Sequence, residues 1–250
     1  MPRTRVAGVG VDIVSRELLQ SSIEGFVDQR RQAVVAYVNI HAVNVAWDDR
    51  VFARFLEGAA LAYCDGEGVR LGARLLGTRL PPRVVLTYWI WDLCRLCEQR
   101  GFSMYFLGST AETVVRAVDE IRRRHPSLRI AGWHHGYFEK RGPENEKVLE
   151  TIRESRPDLL FVGFGMPAQE HWIGENAERI AAIVILPCGS MIEYVAGMKR
   201  AAPAWMANHG MEWLFRLLQE PARLWKRYLV GNFLFFWRAL RRPARGGVSG

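Results

Sequence analysis

Five short apolar runs constrain this chain more than any other feature of its sequence. They are Ala33–Ile40, Leu61–Cys64, Phe102–Leu107, Leu159–Val162 and Ala181–Leu186. Within each run the apolar residues are continuous rather than alternating, as expected of a strand covered on both faces. Helical stretches separate the runs. Ser15 reads as the N-cap of a helix through Asp28, and further helices are predicted over 48–58, 67–76, 110–124, 144–153 and 168–178. Arg5–Val11 and Leu128–Ala131 are also strand-like. Strands alternating with helices of this length predict an α/β fold: a Rossmann-like, mostly parallel sheet with helices on both faces. A chain of 250 residues has room for that domain and a small appendage. It buries enough core to need no disulfide framework from its four cysteines. The N-terminus is too short for a secretory leader and no apolar run reaches the ~20 residues of a spanning helix, so a cytoplasmic location is expected.

In open parallel sheets, ligands bind beyond the carboxyl ends of the strands. The turns at those ends are Asn39-Ile40-His41, Asp65-Gly66-Glu67-Gly68, Gly108-Ser109-Thr110, Gly163-Phe164-Gly165-Met166-Pro167 and Pro187-Cys188-Gly189-Ser190. Glycine lets a ligand approach the backbone, and free N–H groups at a helix start attract phosphate. Together these turns point to a phosphate-bearing, nucleotide-like ligand. Neither a GxGxxG nor a P-loop pattern is present.

Asp65 follows a buried strand and precedes two glycines. A carboxylate there suits a general base and also suits the N-cap of the next helix. Gln169 and Glu170, in the first turn of a helix, could bind a sugar hydroxyl or simply start that helix. Cys94 and Cys97 fall in a helix without a second pair and read as packing residues; His134-His135 read as a surface loop. The sequence holds no Asp-x-Asp, so a bound diphosphate must be neutralised by arginines and helix N-termini. No metal and no cofactor is expected.

The net charge of +8 is confined to one end. Residues 199–250 hold ten Lys or Arg against Glu212 and Glu220, and residues 1–198 balance. The same segment carries Trp205, Trp213, Trp225, Tyr228, Phe233, Phe235, Phe236 and Trp237. Basic and aromatic residues at helical spacing suit a membrane surface with anionic lipid; a packed helical hairpin with solvated arginines is the plainer alternative. Nucleic acid is disfavoured, because these rings lie among Leu and Val rather than on a stacking platform. Arg216, Arg223, Lys226 and Arg227 share one side of the helical path, where guanidinium groups could hold a diphosphate. Two regions follow: a catalytic domain over 1–198 and a membrane-associating helical appendage over 199–250.

The chain resembles the WecG/TagA/CpsF family of glycosyltransferases along nearly its whole length. The blocks are Val38-Asn39, Cys64-Asp65-Gly66-Glu67-Gly68, Arg83-Val84, Phe106-Leu107-Gly108 and His135-Gly136-Tyr137-Phe138. They continue through Gly163 to Glu170, Arg200 to Met206 and Gly210 to Arg216, and on to Tyr228. The resemblance implies an inverting, metal-independent transfer of a sugar from a UDP donor to a polyprenyl-diphosphate-linked saccharide at the inner face of the cell membrane, in exopolysaccharide or cell-wall polymer synthesis. It places Asp65 on the family's proposed catalytic base and Asn39 on its donor-pocket asparagine. Tyr37, Arg83, Gly108, Ser109, Gly163, Gly165, Gln169, Glu170 and Gly189 complete the expected donor site. Arg216, Arg223 and Lys226 or Arg227 fall in an appendage thought to close over it.

Two departures bear on the donor. Tyr37 stands where teichoic-acid members carry Thr, and Leu86-Thr87-Tyr88 replaces a glycine and an acid. Both fit a differently shaped donor such as UDP-glucose or a uronic acid form. The alternatives are a UDP-N-acetylmannosamine or uronic-acid donor of the teichoic acid or common antigen type and, in another class, a non-catalytic UDP-binding membrane adaptor. The oligomeric state, a homo-oligomer included, stays open.

Overall fold

A computed structural model describes residues 1–203, 205–206 and 209–241. Arg242 and Arg245 of the basic tail, and Ala204 of the family blocks, lie outside the described residues. Six strands form one parallel sheet: β3 (Ala33–Val38), β4 (Leu61–Cys64), β5 (Ser103–Gly108), β6 (Arg129–His134), β7 (Leu159–Gly163) and β8 (Val184–Pro187). Their order is β4-β3-β8-β7-β5-β6. β1 (Arg3–Val6) and β2 (Val9–Asp12) form a separate antiparallel hairpin. The continuous run at 5–11 is therefore two strands, because Ala7 and Gly8 both take positive φ (49° and 91°) and reverse the chain.

The strands are apolar on both sides because both sides are core. Val35, Leu61, Phe106, Phe161 and Leu186 face α1 (Arg16–Asp28), α5 (Leu86–Arg100), α6 (Ala111–Arg124) and α9 (Met191–Val195). Their neighbours Ala36, Ala62, Leu107, Val162 and Ile185 face the opposite layer of α2 (Ile40–Asp48), α3 (Arg50–Gly58), α7 (Pro143–Ser155) and α8 (Ala168–Asn176). Ser15 caps α1, its hydroxyl accepting from the Leu18 N–H. The helix predicted over 48–58 is α3, and α2 precedes it. The chain turns helical eight residues before that prediction, because the Asn39 side chain accepts from the Ala42 N–H and starts a helix at Ile40. Asp49 then separates the two helices and caps α3 through the Val51 and Phe52 amides. Cys94 and Cys97 are buried in the core behind α5, and all four cysteines are free.

The C-terminal segment runs through α10 (Glu212–Gln219), α11 (Pro221–Trp225), a π-helical turn (Lys226–Val230) and α12 (Gly231–Arg241). Pro221 opens α11, where its missing N–H costs nothing. α12 docks on the body through one face. Phe235 is fully buried against α4 (Glu67–Leu75), so closely that a Cβ on Gly72 would lie 2.7 Å from its ring. Beside it the buried Arg238 guanidinium donates to the Asn44 carbonyl (3.1 Å) and Oδ1 (2.9 Å) and pairs with Asp48 (3.1 Å). Asn44 Nδ2 returns a bond to the Gly231 carbonyl at 2.7 Å. The other face is a stripe of exposed Leu229, Phe233, Trp237 and Leu240. Among the described residues, no helix is long and apolar enough to cross a membrane.

Candidate functional site

The carboxyl ends of β3, β4, β5, β7 and β8 converge on one cleft, and glycine allows them to meet. A Cβ on Gly108 would lie 2.5 Å from the Gly163 carbonyl oxygen, and one on Gly163 would lie 2.8 Å from that of Gly189. Only a glycine tolerates those approaches. Ser109 takes a positive φ of 57°, and its carbonyl accepts from Gly136 N–H at 2.8 Å, tying the loop after β6 to the cleft. Gly66 lets the start of α4 pass over Asn39, where a Cβ would stand 3.2 Å from the Asn39 Cβ.

The cleft divides into two cavities. One, about 320 Å³, is lined by Tyr37, Ser109, Gly163, Gly165 and Gly189, with Tyr137, Glu193 and Lys199 at its edges. The other, about 480 Å³, is lined by Ile40, His41, Leu71, Trp213, Tyr228 and Phe236. Asn39, Asp65, Val85, Arg216 and Arg227 belong to both. Asp65 therefore stands on the boundary between a glycine-rich polar chamber and a largely apolar one.

The Asp65 carboxylate accepts from Asn39 Nδ2 at 3.3 Å. Enclosure by protein, and after it the Glu212 carboxylate, pushes its carboxyl up to about 7 against the opposing pull of Arg216, Asn39 and Arg83. A group balanced there takes and releases a proton near neutral pH. Burial holds His41 neutral down to about 4, with Arg227 adding to the effect.

Gln169 is fully buried below the polar chamber. Its Oε1 accepts from the Gly189 N–H (3.0 Å), and its Nε2 donates to Tyr37 Oη (3.2 Å) and Glu170 Oε1 (2.8 Å). Burial likewise pushes Glu170 up to about 7, and its Oε2 has no hydrogen-bond partner. Gln169 and Glu170 thus fix the chamber floor through Tyr37 and the β8 turn.

The cations are distributed unevenly. Arg83 donates to Glu212 Oε2 at 3.0 Å, and Arg216 pairs with Glu212 Oε1 at 2.8 Å. Arg216, Arg223 and Arg227 all line the polar chamber, with Arg223 held by Glu220 at 2.7 Å. Lys226 lines neither cavity and lies over the Trp225 ring, 5.5 Å from its centroid. Sequence reasoning overlooked Glu212, which joins both arginines and acts on Asp65. Its signal was an acid in an otherwise basic segment, one helical turn before Arg216. Sequence reasoning gave His41 no role beyond its place in the turn after β3.

Comparison with known proteins places this geometry in context. The model of the glycosyl transferase WecG/TagA/CpsF family matches residues 4–247. An N-acetylglucosaminyldiphosphoundecaprenol N-acetyl-beta-D-mannosaminyltransferase of Bacillus subtilis (strain 168) is 28% identical over 204 residues, 82% of this chain and 78% of that protein. Proteins of the same name from Staphylococcus aureus (strain MW2), 28% identical, and Bacillus spizizenii (strain ATCC 23059 / NRRL B-14472 / W23), 27% identical, cover 91% and 88% of this chain and 89% and 84% of their own lengths. A match that begins in the first hairpin and runs beyond the last described helix spans sheet, cleft and appendage alike, and the chain belongs to the WecG/TagA/CpsF family of glycosyltransferases.

Proposed function

We propose that this enzyme transfers an N-acetylmannosamine-type sugar from its UDP donor to a hydroxyl of a polyprenyl-diphosphate-linked N-acetylglucosamine, with inversion. The observation that carries the reading is the position of Asp65 between the two cavities. The donor occupies the polar chamber, where glycine turns let it approach the backbone and Arg216, Arg223 and Arg227 face the diphosphate. The acceptor sugar occupies the second cavity, whose Leu71, Trp213 and Phe236 suit the beginning of a lipid. Ionised Asp65 takes the proton of the acceptor hydroxyl as its oxygen attacks the anomeric carbon. The bond from that carbon to the diphosphate oxygen breaks on the opposite face, and UDP leaves with the electron pair. Asn39 orients the Asp65 carboxylate, and Arg83 and the appendage arginines offset the charge of the leaving group. The exposed apolar stripe and basic residues of the last helices support association with the cytoplasmic membrane surface, where such an acceptor resides.

The relatives bear on the donor. Tyr37 and Leu86-Thr87-Tyr88 suggest UDP-glucose, yet three relatives covering at least 82% of this chain are N-acetylmannosaminyltransferases. We therefore place UDP-N-acetylmannosamine or its uronic acid ahead of UDP-glucose. The test is UDP release with each donor in the presence of an N-acetylglucosaminyl-diphosphate-polyprenyl acceptor. Acceptor-dependent release from the mannosamine donors is expected. Release only from UDP-glucose overturns the donor, and no acceptor-dependent release from any of them favours the silent adaptor.

Replacing Glu212 tests the electrostatics of the cleft. Glu212→Gln removes the anion that raises Asp65 and frees Arg83 and Arg216 to act on it, and both changes lower the Asp65 pKa. The acid limb of the pH–rate profile should move to lower pH. An unmoved limb would show that Asp65 is not the titrating base.

A further inference from the structure

α4 lies beside α12, locked there by Phe235 against Gly72, and its outer surface has an unusual composition. Leu71 and Leu75, one turn apart, are both exposed, and Arg70 and Arg74 flank them at the same spacing. Arg79 follows from the next loop. Arg70, Leu71, Arg74 and Arg79 line a groove of about 340 Å³ that shares Glu67 and Leu71 with the acceptor-side cavity. Glu67 engages Arg70 at 2.6 Å, whereas Arg74 and Arg79 form no ion pair among the described residues.

We propose that this α4 face is a second contact between the protein and an anionic bilayer. Arg74 and Arg79 meet lipid phosphates while Leu71 and Leu75 enter the headgroup layer. The proposal rests on the peripheral-membrane reading given above and adds to it a surface of the catalytic body. Two observations select lipid as the occupant: the positive charge of the groove, and its continuity, through Glu67 and Leu71, with the largely apolar acceptor-side cavity. Because Leu71 belongs to both the groove and the acceptor-side cavity, contact here sets the mouth of that cavity against the membrane.

The test is sedimentation of the full chain with phosphatidylcholine vesicles, with or without about one-third phosphatidylglycerol; a basic residue near such a surface contributes about 1 kcal/mol, about fivefold in partitioning. Arg74→Gln/Arg79→Gln should therefore bind the anionic vesicles roughly 30-fold more weakly, with unchanged melting temperature and unchanged binding to neutral vesicles. Arg74→Lys/Arg79→Lys should restore binding. Arg30→Gln/Arg31→Gln, the same charge loss at the far end of the sheet, should have no effect. Equal binding by the α4 variant and wild type, with loss on Phe233→Ser/Trp237→Ser, overturns this proposal alone. The same holds if Arg30→Gln/Arg31→Gln weakens binding equally. Failure of wild type to bind anionic vesicles at all overturns the membrane reading with it.

Discussion

Asp65→Asn should lower turnover by at least ~10²-fold while leaving UDP-sugar binding intact, the range expected for removal of a general base. It should also stabilise the protein at high pH. The sign follows from the raised pKa. Asp65 titrates near 7 in the fold against 3.8 as a free side chain, so its protonated form favours the fold and its ionised form opposes it. The stability contribution of wild-type Asp65 is fully present below about pH 4 and is lost as pH rises through about 7. Asn carries no such dependence, so the variant's melting temperature should exceed wild type at pH 8, with the margin shrinking towards pH 4. Paired activity and melting measurements over that window check both effects. Near-wild-type turnover would end the assignment of Asp65 as base, and lower stability at pH 8 would show that its carboxylate is satisfied by its neighbours.

The second large effect is structural. Phe235→Ala should cost about 3–5 kcal/mol of stability, the usual range for deleting a buried aromatic ring. Phe235 lies two residues beyond Phe233, yet it is fully buried while Phe233 is 72% exposed. Phe233→Ala should leave the melting temperature unchanged. Chemical denaturation of both variants reads the difference directly; equal stabilities would mean that α12 does not pack as described. Phe235→Ala should also lose acceptor-dependent turnover beyond its effect on folding, because Phe236 and Asn232 on the same helix line the acceptor-side cavity.

Much of this architecture was legible because its strongest determinants are local. Continuous apolar strands with glycine at their carboxyl ends have few folds open to them, and Asp65, Asn39 and the glycine turns lie at strand ends that can be read directly. α2 escaped because the stretch after the Asn39 cap holds no Lys, Arg, Asp or Glu before Asp48 to mark a solvated helix face. The hairpin at 3–12 escaped because Ala7 takes a backbone conformation its residue type does not announce. The pairing of Glu212 with Arg83 and the burial of Arg238 are long-range: the partners Arg83, Asn44 and Asp48 lie more than 120 positions away, beyond any helical or strand periodicity. The sequence marked the tail as basic and aromatic, but which ring turns inward depends on the small residue that α4 presents at Gly72.

The ion pairs of Glu212 have a further consequence. Its carboxylate occupies the guanidinium groups of Arg83 and Arg216 as a resident counter-ion. On the function proposed above, a donor diphosphate would compete with that occupant for the Arg216 hydrogens, and a ligand of lower charge would compete less well. On that reading the cleft would discriminate by ligand charge before any sugar is recognised, and each departing product would leave behind a site that neutralises itself from within.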